Sequence, residues 1–280
     1  MKRTNITLTD IARWRKQGRG CGEGRDYKPW LRVRDVPSRG RSSRIKGMKT
    51  HRVHHLLSDL ETNHFLHLDF NPQVTDIREQ YPLFPLDEPI AIANSLGIQY
   101  PRYPGTNTPV VLSTDFLVTF RNQKGELSSL ARTIKYREEL SDKRVLEKLE
   151  IERVFWQRRG IPWQVGTEDL NKTLVTNLNW LRPHLHLVKT SQSIQKLPKF
   201  LGALRIRLAG HETLKDLIKS ASTDANLNYQ EGMLYFRFMA WHRVIELDLE
   251  STLLDLRSPL QIKSIHEIED ASDHHERKIA

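Results

Sequence analysis

The chain has 280 residues, 44 Lys and Arg against 34 Asp and Glu for a net charge of +10, and 38% hydrophobic residues. That supplies a core for one large domain or two modest ones, and the composition fits two better. No run approaches the roughly 18 consecutive apolar residues of a spanning helix, and the opening MKRTNITLTDIARWRKQG lacks an apolar h-region, so neither a membrane protein nor a signal or transit peptide is expected. Cys21 is the single cysteine, which excludes an internal disulfide and a cysteine-built zinc cage and suits a reducing cytoplasm.

The expected organisation is a basic N-terminal arm (1–50) that packs on or extends a mixed α/β domain (51–166), followed by a mostly helical domain (167–280). The arm holds 15 Lys and Arg against four acids, leaving 29 against 30 for the rest, so it carries all of the basic excess. Its glycines 18, 20, 22, 24 and 40, with Tyr27 and Trp30, suit close approach of backbone and Arg to phosphates. Arg19, Lys28, Arg32, Arg41 and Arg44 are the candidate DNA contacts. Charge alone leaves a solvated tail equally open.

Next comes a helix over Leu56 to Phe70, where Leu57, Leu60, Phe65 and Leu68 recur near helical spacing and Asn71-Pro72 stops the run. Glu61 lies on its apolar side, where a carboxylate needs an ion pair or a metal. His51, His54, His55, His64 and His67 invite a zinc or HNH-type reading. No cysteine supports the first and no Asn or His partner at a suitable spacing supports the second, so phosphate contact, packing or support of the Glu61 helix is the better reading. A short strand near Val74 to Gln80 leads into a Pro- and Gly-rich loop running to Pro109.

A strand from Pro109 to Phe120, the turn RNQKGE and a second strand over Leu127 to Lys135 read as a β-hairpin with Asp115 on one arm and Lys135 on the other. A helix from Lys143 to Arg159 follows, with Gly160 as its cap, and then the strand IPWQV. Glu150 and Glu152 on that helix read as solvated-face residues, Glu152 within reach of the hairpin as a supporting group.

Cutting a phosphodiester requires an activated water and a cation to stabilise the charge that develops on phosphorus-bound oxygens. Asp115, with Lys135 twenty positions later on the adjoining strand, matches the hairpin arrangement of nucleases with the PD-(D/E)xK signature. Glu61 supplies a second carboxylate. The main-chain carbonyl of Ile134 is a further candidate metal ligand. Thr133 stands where the signature places an acid, and each of these residues alone also has an ordinary structural reading.

Five blocks in order, GRGCGEGRDYKPWLRVRDVPSRGRSSRI, RVHHLLSDLE, DIREQYPL, STDFLV and LEKLEIERVFWQRRGIPW, resemble the TnsA family, the endonuclease subunits of heteromeric cut-and-paste transposases. The resemblance covers roughly residues 17 to 166 and is only general beyond 170. It implies a restriction-endonuclease-like domain that uses Mg²⁺, or Mn²⁺ in its place, to cut the 5′ ends of a transposon on double-stranded DNA. It implies as partner a DDE recombinase, TnsB, that cuts and joins the 3′ ends. The family's catalytic Glu, Asp and Lys fall on Glu61, Asp115 and Lys135. The family position often occupied by Gln or an acid is Thr133, whose neutral hydroxyl suits a water bridge to metal better than a direct bond.

Residues 167–280 show amphipathic helical patterns at Leu170 to Leu181 and Leu214 to Ile218. GMLYFRFMAWHRVIELDLES reads as a helix running into a β-wing, with Tyr235, Phe236, Phe238 and Trp241 as core. A winged-helix-like domain fits, and the resemblance makes it a contact surface for the AAA+ regulator TnsC and nearby DNA in the bacterial cytoplasm. A stand-alone restriction or repair nuclease of the same fold and a non-catalytic DNA-binding assembly factor are the alternative functions. Isolated sequence-specific cleavage marks the former, and DNA binding without metal-dependent cleavage the latter.

Overall fold

The computed structural model describes residues 6–36, 41–182, 191–207 and 212–266. The C-terminal run ASDHHERKIA, which reads from sequence as a frayed end, lies outside them. Backbone contacts divide the chain into two compact units, Met1–Leu170 and Asn171–Ala280.

In the first unit, Thr7 and Asp10 form a capping box that starts α1 (Leu8–Lys16). Ile11 and Trp14 on this helix are buried with Trp30 and Val111, and Trp14 meets Trp30 edge-on with ring centroids 5.3 Å apart. Beneath its charge, the basic segment therefore carries an aromatic anchor. β1 (Ser43–Lys46) and β2 (Val53–Leu56) pair antiparallel. Leu56, expected to open a helix, instead ends β2, because Ser58, two residues further on, caps α2 (Asp59–Phe70).

The central sheet has the order β3 (Val74–Pro82), β4 (Ser113–Arg121), β5 (Leu127–Ile134) and β6 (Trp163–Gly166). Its first two pairings are antiparallel and the last is parallel. Gly20, at φ +76°, lies where a Cβ would come within 2.3 Å of the Pro82 ring, so only glycine lets the arm close on the end of β3.

The stretch expected as loop contains α3 (Asp87–Ser95). Pro89 sits in its first turn, where a missing N–H costs nothing. Together with α4 (Lys143–Gln157), α3 contributes Ile92, Ile151, Phe155 and Trp156 to a core shared with Leu117 and Ala131 of the sheet. Leu117 thus faces these helices, and the alternation of β4 sends the fully buried Phe116 and Val118 to the other side.

The second unit comprises α5 (Lys172–Leu181), α6 (Ser191–Arg207), α7 (Leu214–Asp224) and α8 (Tyr229–Trp241), then the antiparallel pair β7 (Ile245–Leu247) and β8 (Ile262–Ile265). α6 has no counterpart among the expected elements. Phe200, Leu204, Ile218, Phe236 and Met239 centre its core. Tyr235, Phe236 and Trp241 are buried as expected, and Phe238 packs partly buried against the same core. Among the described residues no helix is long and apolar enough to cross a membrane.

Candidate active site

Glu61 enters the site from the first turn of α2. Its N–H bonds to Ser58 Oγ at 3.0 Å, and its carboxylate accepts from Leu57 N–H at 2.9 Å and from the Ser58 hydroxyl at 3.2 Å. A helix N-terminus favours an anion. Burial and the neighbouring Asp115 outweigh that and push the Glu61 carboxyl up to about 8.

Asp115 sits mid-strand on β4 and accepts a 2.6 Å hydrogen bond from Ile134 N–H. Lys135 follows β5, with its N–H bonded to the Gly166 carbonyl. Its Nζ lies 3.6 Å from Asp115 and donates to the Ile134 carbonyl at 2.7 Å. Asp115 holds this ammonium above the ordinary lysine range. The fold therefore brings Glu61, Asp115, Lys135 and the Ile134 carbonyl together from one helix and two strands.

Gln80 joins the two acids. Its Nε2 is 3.2 Å from Glu61 Oε2 and 3.4 Å from Asp115 Oδ1, and its Oε1 accepts from Ser113 Oγ at 3.3 Å. No residue-type argument singled it out, because a glutamine near a strand end has no distinctive chemistry. Its only signal is its place inside the DIREQYPL block.

Thr133 donates its hydroxyl to Glu152 and accepts from Trp163 Nε1 at 3.2 Å. Glu152, read from sequence as a solvated-face residue, is buried: it also accepts from Thr114 at 2.6 Å and Trp163 at 3.1 Å. Burial raises its carboxyl to about 7. The spacing of α4 failed to show this because the face it turns to the sheet mixes Glu152 with Ile151 and Phe155.

His64 and His54 are buried and engaged inside the fold. His64 Nε2 donates to the Thr167 carbonyl at 2.8 Å, and burial lowers its pKa to about 4, which keeps it neutral. His54 is fully buried between Thr50 and Glu79. Among the described residues no three His, Cys, Asp or Glu side chains are grouped to hold a metal. The available oxygen donors are therefore two carboxylates and one carbonyl, a hard set that suits a cation keeping several waters.

Of the candidate DNA contacts, Lys28, Arg41 and Arg44 are exposed and Arg32 is half-buried. Lys28 reaches the Gln17 carbonyl, and Arg41 pairs with Asp59 at 2.9 Å. Arg19 is turned inward, 4.3 Å over the Trp14 ring, bonded to the Trp30 carbonyl and paired with Asp35 at 2.7 Å.

A mixed sheet with an acid on a central strand, a lysine ending the next and a second acid on a flanking helix defines a restriction-endonuclease-like nuclease. Residues 71–168 match the family model for the TnsA-like endonuclease N terminus, and residues 169–249 match that for the TnsA endonuclease C terminus. The chain is 39% identical over 254 residues to the Escherichia coli protein named Transposon Tn7 transposition protein TnsA, spanning 89% of this chain and 90% of that one. It belongs to the TnsA family of endonucleases.

Proposed function

We propose that this protein is the metal-dependent endonuclease subunit of a heteromeric transposase, cutting the 5′ ends of a transposon while a DDE recombinase of the TnsB type cuts and joins the 3′ ends. The observation that carries the reading is the convergence of Glu61 and Asp115 on one amide, with Lys135 3.6 Å from Asp115.

Asp115, Glu61 and the Ile134 carbonyl would hold the cation, Mg²⁺ or Mn²⁺ in its place. A bound divalent ion supplies Lewis-acid stabilisation of phosphate charge and a water of lowered pKa. Thr133 contributes no direct bond, since Glu152 and Trp163 engage its hydroxyl. Lys135, kept protonated by Asp115, orients the attacking water and the scissile phosphate. Beside a bound cation the Glu61 carboxyl would ionise more readily, and its carboxylate would complete the site.

The arm (1–50) presents Lys28, Arg32, Arg41 and Arg44 to DNA phosphates. Residues 167–280 form a winged-helix-like partner domain, supported by the succession α6, α7, α8 and the two-stranded β7–β8 sheet, with a TnsC-type ATPase as its partner. In a reconstituted reaction, Asp115→Ala is expected to abolish 5′-strand cutting and leave 3′-strand cutting in place. Retained 5′ cutting overturns the assignment.

A further inference from the structure

We propose that Gln80 is a positioning residue for the cation site, its side-chain amide spanning Glu61 and Asp115 and keeping their oxygens converged. The inference rests on the metal-nuclease reading above and assigns a role to the amide on which its two acids converge.

Two independent observations support it. The first is chemical. Gln80 is 2% exposed, and one amide nitrogen is within hydrogen-bonding reach of both catalytic carboxylates. Lys135 pairs with Asp115, whereas among the described residues the hydrogen bonds to the Glu61 carboxylate come from neutral groups: Leu57 N–H, the Ser58 hydroxyl and Gln80. A second ammonium at position 80 would cancel the negative charge that draws in a cation. An apolar side chain would leave carboxylate lone pairs unpaired. A neutral amide aims both carboxylates and leaves their charge available.

The second observation is conformational. Gln80 has φ +50°, the left-handed region, which costs a non-glycine residue about 1–2 kcal/mol. The ladder pairs on either side, Glu79 with Phe116 and Tyr81 with Thr114, are kept, so the departure is confined to this one residue. Its carbonyl, turned from the ladder, accepts from Trp30 N–H at 3.2 Å, and Tyr27 donates to the Glu79 carbonyl at 3.1 Å. Glycine or asparagine would adopt this backbone more readily. Glutamine has the reach to place one amide between Glu61 and Asp115.

The test is Mn²⁺ binding to the full-length protein without DNA, measured by titration calorimetry beside metal-free thermal melts. Gln80→Gly and Gln80→Asn relieve the backbone and remove or shorten the amide. They are expected to melt cooperatively and to bind Mn²⁺ at least about tenfold more weakly, as is typical when a group orienting metal ligands is lost. Gln80→Glu, of the same length with an added anionic oxygen, is expected to bind at least as tightly as the parent. Folded Gly and Asn variants with a smaller loss overturn the inference while the metal reading stands. A parent that binds no Mn²⁺ overturns both. If neither small variant melts cooperatively, Gln80 is a folding residue and the inference falls.

Discussion

Thr133 donates a hydroxyl hydrogen bond to Glu152, a buried carboxyl carried by α4. The position where the nuclease signature sets an acid is thereby tied to an acid on another element. Thr133→Val removes one of the donors to Glu152 and leaves Thr114 and Trp163 in place. The expected cost is about 1 kcal/mol of stability, read by denaturant melts, with metal affinity expected within about twofold of the parent because Glu152 and Trp163 already engage the hydroxyl. A large loss of metal affinity at unchanged stability contradicts this arrangement.

Burial of Glu61 beside Asp115 works against stability. Its folded pKa is raised from 4.5 to about 8, so the folded state keeps a proton that the unfolded chain releases. The sign follows: metal-free stability falls as pH rises from 4.5 to about 8 and is flat above. Glu152, raised from 4.5 to about 7, adds a decline in the same direction over its own window. Glu61→Gln is expected to flatten the Glu61 component, to raise metal-free stability at pH 8 by on the order of 2 kcal/mol, and to abolish cleavage. Melts across this range with and without Mg²⁺ check it, the metal stabilising only the parent.

Glu79 runs the opposite way. It is fully buried and accepts from Arg52, from His54 and from His55 N–H, and these partners hold its carboxyl far below the usual range. Its stabilisation is complete above the ordinary glutamate pKa and is lost as pH falls toward the folded value. Glu79→Ala leaves Arg52 buried without its anion and is expected to cost about 3–5 kcal/mol. A melt within about 1 kcal/mol of the parent shows that water replaces the carboxylate.

The arm also has a structural role. Trp30 is fully buried and its N–H holds the Gln80 carbonyl, so Trp30→Ala is expected to cost about 3–5 kcal/mol and to lower cleavage at temperatures where the protein stays folded. Lys28→Ala, at an exposed position, is expected to leave stability within about 0.5 kcal/mol and to reduce the salt dependence of DNA binding by about one phosphate contact. Titrations at several salt concentrations separate the two roles.

These cases show what the sequence makes legible. The β4–β5 hairpin, α4 and β6 follow from β-branched runs, a clear turn and helical spacing, and Asp115 and Lys135 sit where that hairpin puts them. α3 stays hidden because its short Ile-Ala run and Pro89 look like loop. The folded arm stays hidden because charge masks Ile11, Trp14 and Trp30. Gln80 and the burial of Glu152 are tertiary facts: one depends on a residue leaving strand geometry, the other on a helix face meeting two threonines. No local pattern encodes either.

The most direct test of the central claim is strand-resolved cleavage of transposon-end DNA by Lys135→Ala with its partners present. The account predicts 5′-strand cutting reduced by about 10²–10⁴-fold and 3′-strand cutting at the parental rate. Cutting of the 5′ strand within a few-fold of the parent, or equal loss on both strands, contradicts it.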